Sequence, residues 1–125
     1  MNLRIGHSTI VICLLGAVLF SCQRQADLEG LWIGCELRKP CIDWFLTIEG
    51  NQFHLIREDA FISYKGRFQL NNNCVHKKID FQINAAHTPS QNGRTILGIY
   101  QIKGRNSLTV VMGPPGELLR PLSFD

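Results

Sequence analysis

Asp43 to Glu58 reads DWFLTIEGNQFHLIRE. Two runs rich in aromatic and β-branched residues, Asp43 to Glu49 and Gln52 to Glu58, meet at Gly50-Asn51. Gly and Asn accept the positive φ that a two-residue hairpin turn demands, so this is the strongest hairpin signal in the chain. The sequence on either side keeps the same grammar. Upstream, Leu31 to Leu37 is apolar with small residues interspersed. Downstream, Ile62 to Leu70 sets Ile62, Tyr64, Gly66, Phe68 and Leu70 against Ser63, Lys65, Arg67 and Gln69. That is period 2, one face buried and one wet. Asn71-Asn72-Asn73 supplies a turn, and Lys78 to Asn84 alternates again with Ile79, Phe81 and Ile83 on one face.

Ala85 to Gly93 reads as a polar loop containing Pro89. Thr95 to Ile102 and Leu108 to Met112 flank Lys103-Gly104-Arg105-Asn106, a further hairpin loop. Gly113-Pro114-Pro115-Gly116 breaks the chain, and Leu122 to Phe124 reads as the start of a last short strand. No stretch after Ser21 sustains helical periodicity over about 11 residues. Seven or eight short strands joined by turns predict an all-β, antiparallel meander. Such a meander hides its edges best by curling into a barrel. Gly66 and Gly98, inside strands, are where a strongly curved sheet would bend.

The 125 residues suffice for one domain, and the first part is not fold material. Met1 to Ser8 carries one fixed positive charge, Arg4, and Thr9 to Phe20 (TIVICLLGAVLF) runs without a charge to Ser21-Cys22. A charged start, a short apolar run and a small residue before the cut describe a secretory signal over residues 1–21, expected as an N-terminal signal helix ahead of the barrel. The apolar run is too short for a membrane-spanning helix, which needs roughly 20 residues. Leu19-Phe20-Ser21-Cys22 resembles the bacterial lipobox, in which the Cys thiol is lipidated and becomes the first residue after cleavage. That resemblance implies an exported chain anchored to a membrane of the cell envelope through Cys22, with residues 22–27 as a lipidated tether. Phe20 departs from the small residue usual at its position. The alternatives are ordinary cleavage nearby, and a buried N-terminal helix in which Cys22 is incidental.

Loss of Arg4 with the leader takes the formal charge from +3 to +2. The basic residues are scattered, so neither a nucleic-acid footprint nor a polybasic membrane patch is indicated. With Cys13 removed and Cys22 lipidated, Cys35, Cys41 and Cys74 remain. An oxidising compartment allows pairing, and three is odd. Cys35 and Cys41 flank Glu-Leu-Arg-Lys-Pro, which reads as a turn between strands. A disulfide across that turn, of modest benefit because the loop is short, stands beside three reduced, half-buried thiols.

Leu28-Glu29-Gly30-Leu31-Trp32, Ile48-Glu49-Gly50-Asn51, Tyr64-Lys65-Gly66-Arg67-Phe68, Lys78-Ile79-Asp80-Phe81, Leu97-Gly98-Ile99-Tyr100 and Arg120-Pro121 occur in that order. Together they resemble a bacterial family of small, exported lipocalin-like domains with a Gly-x-Trp, Gly-Ile-Tyr and Arg-Pro pattern. The resemblance covers residues 28–125 and implies a fold rather than an activity. It also implies a structural pair, with Trp32 plugging one end of the barrel and Arg120 lying over it. The physics is reasonable, since a guanidinium over an indole face gains about 0.5–2 kcal/mol. Family members continue past Arg-Pro into a closing strand, whereas this chain stops at Asp125. An incompletely closed barrel is therefore expected, its edge covered by the N-terminal segment, by a second copy or by a partner.

No catalytic constellation emerges. His54 is mid-strand between Phe53 and Leu55, while Cys74 and His76 share one loop without an orienting third group. A Cys-x-His pair lacks the further ligands of a structural zinc site, so no metal is expected. Glu58-Asp59 reads as a solvated turn, and Gly113-Pro-Pro-Gly116 has prolines where a phosphate-cradling loop needs N–H donors. No cofactor is expected. The aromatic residues either fill a small core or line a cavity for a small apolar ligand. The function expected is that of a non-enzymatic, membrane-tethered domain binding a small apolar ligand or an envelope protein, most plausibly near Leu118 and Leu119. A structural envelope component without a ligand is the alternative, and a Cys/His-dependent enzyme a third.

Overall fold

The structure is a computed structural model, and it describes residues 2–7, 28–36, 42–59, 61–72, 77–103 and 107–124. Its strands are β1 (Asn2–His7), β2 (Gly30–Glu36), β3 (Asp43–Glu49), β4 (Gln52–Arg57), β5 (Ser63–Asn72), β6 (Lys77–Ala86), β7 (Thr95–Lys103) and β8 (Ser107–Met112). A short 3₁₀ turn at Pro89–Gln91 interrupts the loop between β6 and β7. From β2 to β8 each strand pairs antiparallel with the next, which makes the all-β meander expected from the alternating sequence. Its two ends, β2 and β8, leave a seam, and β1 lies in that seam and pairs antiparallel with both.

Three expectations need correction. Asn71 and Asn72, read as a turn, extend β5 and pair with Lys78 and Lys77 of β6. Leu122 to Phe124 forms no strand. The strand that completes the ring is Asn2–His7, which the sequence presents as the charged start of a helical leader. Parity explains why an eighth strand is wanted. In an antiparallel meander of seven strands the first and last run the same way, so β2 and β8 could meet only as a parallel pair. A strand between them, antiparallel to each, restores one continuous ladder pattern around the ring. The apolar leader Thr9 to Phe20, the lipidation candidate Cys22 and the tether Gln23 to Asp27 lie outside the described residues.

The hairpin that decides the fold forms as read. Glu49 faces Gln52, Gly50 takes φ 60°, and Asn51 completes the turn. The Gly50 N–H also donates to Glu29 Oε1 at 3.1 Å, which ties this turn to the entry of β2. Alternation then sorts side chains by face. Trp44, Leu46 and Ile48 of β3, Phe53 and Leu55 of β4, and Ile79, Phe81 and Ile83 of β6 all point into one core. Phe68 joins them from β5, with Ile62, Tyr64 and Leu70 packed partly buried against it.

Gly66 occupies the inward row of β5 where the register slips against β6. A Cβ there would stand 1.8 Å from the Gln82 carbonyl oxygen, so the strands approach closely because the side chain is missing. On either side of it, Phe53 and Phe81 meet edge-on with ring centroids 4.8 Å apart. Gly98, opposite Met112 across β7 and β8, would bring a Cβ to 2.9 Å from the Val111 carbonyl oxygen. The irregularity expected of a bend falls at Gly66, while at Gly98 the register runs on unbroken and the strands simply approach closely.

Candidate functional site: the seam and the outer face of the barrel

The inside of the ring is occupied by the chain's own side chains. Trp32, Trp44, Phe81 and Tyr100 are the largest, and all are buried. Trp32 is fixed as well as buried: its indole Nε1 donates to the Leu28 carbonyl at 2.8 Å. A buried indole N–H nearly always needs such a partner. Among the described residues, three grooves lie on the outer surface. One crosses β3 to β5 at Thr47, His54 and Lys65. The second lies over β5 and β6 at Arg67, Gln69, Asp80 and Gln82. The third runs between the outer face of β6–β7 and the tail residues Arg120, Pro121, Leu122 and Phe124.

Arg120 holds that tail against the sheet. Its guanidinium donates to the Gly98 carbonyl at 2.8 Å and, at the 3.5 Å limit, to that of Ile79. The same nitrogen lies 2.6 Å from Asp80 Oδ1. That approach is close but poorly aligned, because Asp80 Oδ1 takes no hydrogen bond of good geometry. The contact is therefore coulombic, and the carbonyls supply the directional bonds. Arg120 thus finds partners on β6 and β7, while Trp32 has its bond to Leu28 near the start of β2.

Beyond Arg120's hold the tail is apolar and uncovered. Leu118, Leu119 and Leu122 are 88%, 77% and 96% exposed. On β2, beside the seam, Leu31 and Ile33 alternate with buried Trp32 and are 39% and 42% exposed. Phe45 stands opposite Ile33 on the same outward row of β3. The apolar surface expected near Leu118 and Leu119 is present, and a second strip flanks the seam.

The polar residues at the ends of β4 and β5 make local contacts. Asp59 accepts from Arg57 Nε at 2.9 Å and from the Phe61 N–H at 3.1 Å, closing the turn between β4 and β5. The Arg57 hydrogen bond, followed by weaker contacts, lowers the Asp59 pKa. Glu58 Oε2 accepts from the Asp43 N–H at 3.0 Å. His54 Nε2 stands 3.4 Å from Ser63 Oγ on the outer face. Burial, with a smaller push from Lys65, lowers its pKa and favours neutral imidazole. A working nucleophile–base pair sits at about 2.6–3.2 Å with a third group orienting the base. The His54–Ser63 contact is longer than that. Burial also raises the Tyr64 pKa, against a smaller opposing effect of Arg57.

No group of three or more His, Cys, Asp or Glu capable of holding a metal occurs among the described residues. Cys35 is disulfide-bonded, while Cys41, the partner suggested by the intervening turn, lies outside the described residues with Cys74 and His76. Sequence reasoning missed two features, the Arg120–Asp80 contact and the role of β1. The second had a signal, since Leu3 and Ile5 alternate with Asn2, Arg4 and Gly6. No family model, curated protein or solved structure matches the chain.

Proposed function

We propose that this protein is an exported, non-enzymatic barrel, lipidated at Cys22 and tethered to an envelope membrane, that holds an envelope protein on its outer surface. The contrast between the inside and the outside of the ring carries this reading. Trp32, Trp44, Phe81 and Tyr100 fill the interior that a small apolar ligand would need, whereas Leu118, Leu119 and Leu122 stand almost fully in water. An apolar cluster on the outside of a small domain is a common mark of a protein-binding surface. The leader and Leu-x-Ser-Cys sequence supply the address. The antiparallel up-and-down meander of β2 to β8 is also the strand order of lipocalin-like barrels, which supports the resemblance carried by the ordered Gly-x-Trp to Arg-Pro motifs.

The test uses protein extracted from membranes in mild detergent. Wild type is expected to sediment in a complex, and the triple variant Leu118→Ser, Leu119→Ser, Leu122→Ser to sediment alone with an unchanged circular dichroism spectrum. Native mass spectrometry showing a stoichiometric small apolar molecule inside a monomeric wild-type barrel would move the function to the interior.

A further inference from the structure

The seam between β2 and β8 has a defined shape, because the structure shows what fits it. Asn2–His7 lies there antiparallel to both neighbours, with Leu3 to His7 opposite Glu36 to Trp32 and Asn2 to Gly6 opposite Val111 to Ser107. Neighbouring strands stand about 4.8 Å apart, so removing the middle one leaves a slot about 10 Å wide between two edges. Each edge would then expose a row of unpaired backbone N–H and C=O groups. Direct closure of β2 on β8 is opposed twice. It would be a parallel pair in an otherwise antiparallel ring, and it would shrink the ring around a core already filled by Trp32, Trp44, Phe81 and Tyr100.

We propose that in the mature chain this slot takes an extended segment of an envelope partner, antiparallel to both β2 and β8. The inference rests on the reading that residues 1–21 are removed, since Asn2–His7 leaves with them. The register states what the incoming strand must be. Positions taken here by Leu3 and Ile5 stand level with Val110 and Leu108, whose side chains lie in the core, so alternate residues must be apolar. The intervening positions stand level with half-buried Thr109 and Ser107 and with exposed Ile33, where small or polar residues suffice. Main-chain hydrogen bonds to both edges supply affinity, and the alternating apolar residues supply register, as in strand addition generally. The exposed strip of Leu31 and Ile33 lies along one edge of the slot, where the flanks of a docked segment would cover it.

The test uses the full-length chain carrying Cys22→Ser, with a protease site inserted within Thr9 to Ser21. After nicking, the N-terminal fragment is washed out and a fluorescent peptide of residues 1–8 is added. Amide hydrogen exchange is expected to lose protection at Trp32 to Glu36 and Ser107 to Val111 on wash-out, and to regain it with peptide. Peptide binding should be saturable, and Ile5→Asp in the peptide should weaken it at least tenfold. If wash-out unfolds the barrel, refolding on addition of the wild-type but not the Ile5→Asp peptide carries the same conclusion. Amides that stay protected in the washed monomer would mean that the ring closes on itself or takes up its own tail. A washed barrel that dimerises and ignores peptide would give the slot to a second copy. Either result overturns the proposal, as does a barrel that the peptide cannot restore. Because the cut is made by an added protease, these outcomes do not depend on cellular processing. Membrane-extracted protein that retains residues 1–21 would sink the export reading without altering the peptide result.

Discussion

Arg120 reaches back from the tail to lie 2.6 Å from the Asp80 carboxylate while donating to the Gly98 carbonyl at 2.8 Å. Both side chains are partly exposed, which holds the ion pair itself to about 0–1 kcal/mol. A hydrogen bond from a charged donor contributes more, about 1.5–3 kcal/mol. Arg120→Ala should therefore destabilise the barrel by about 2 kcal/mol in urea unfolding and free the tail to proteolysis after Glu117. Asp80→Asn, which keeps the carbonyl contact, should lose less than about 1 kcal/mol.

Gly66 is the position least able to change. A Cβ at 1.8 Å from the Gln82 carbonyl oxygen cannot be absorbed by a side-chain rotation, because the obstacle is backbone. Gly66→Ala should cost more than the usual 1–3 kcal/mol of overpacking and shift the β5–β6 register. Gly98→Ala, with its clash at 2.9 Å, should cost less. Thermal melts of the two variants rank them, and equal losses would show that the strands can separate.

Trp32→Phe tests the indole bond. The change leaves the buried Leu28 carbonyl without its 2.8 Å donor, a loss of about 1–3 kcal/mol, with a small cavity added. Urea midpoints should fall accordingly with an unchanged slope. A loss below about 0.5 kcal/mol would mean that water replaces the indole.

His54 gives a pH signature. Burial first, and Lys65 second, lower its folded pKa below the ordinary 6.5, so the folded state resists protonation that the unfolded chain accepts. Its contribution is complete above pH 6.5 and is lost as pH falls through the window below that value. His54→Gln should flatten the fall in melting temperature between pH 7 and pH 5 relative to wild type. Parallel profiles for the two proteins would remove His54 from the pH response.

The strands were legible wherever alternation was strict. Ile79, Phe81 and Ile83 are buried as their spacing demands, and Gly50-Asn51 turns as its chemistry requires. The close approaches at Gly66 and Gly98 were visible because an isolated glycine in a strand pattern leaves few other reasons for its presence. What stayed hidden was long-range. Asp80 occupies a solvent-facing position of β6, and nothing local tells it from Gln82 until the tail brings Arg120 to it. Asn2–His7 carries its own alternation, yet the apolar run that follows gives those residues a second meaning as a leader. Their pairing depends on two edges about 30 and 105 residues away in sequence, which no local pattern reports.

Lipidation at Cys22 is tested most directly by intact mass of the membrane fraction, with Cys22→Ser alongside wild type. The expected species is residues 22–125 with a lipid-sized addition, absent from the Cys22→Ser protein, which should leave the membrane on washing. A wild-type chain carrying residues 1–21, with no addition and released as readily as the variant, would contradict both the anchor and the emptied seam.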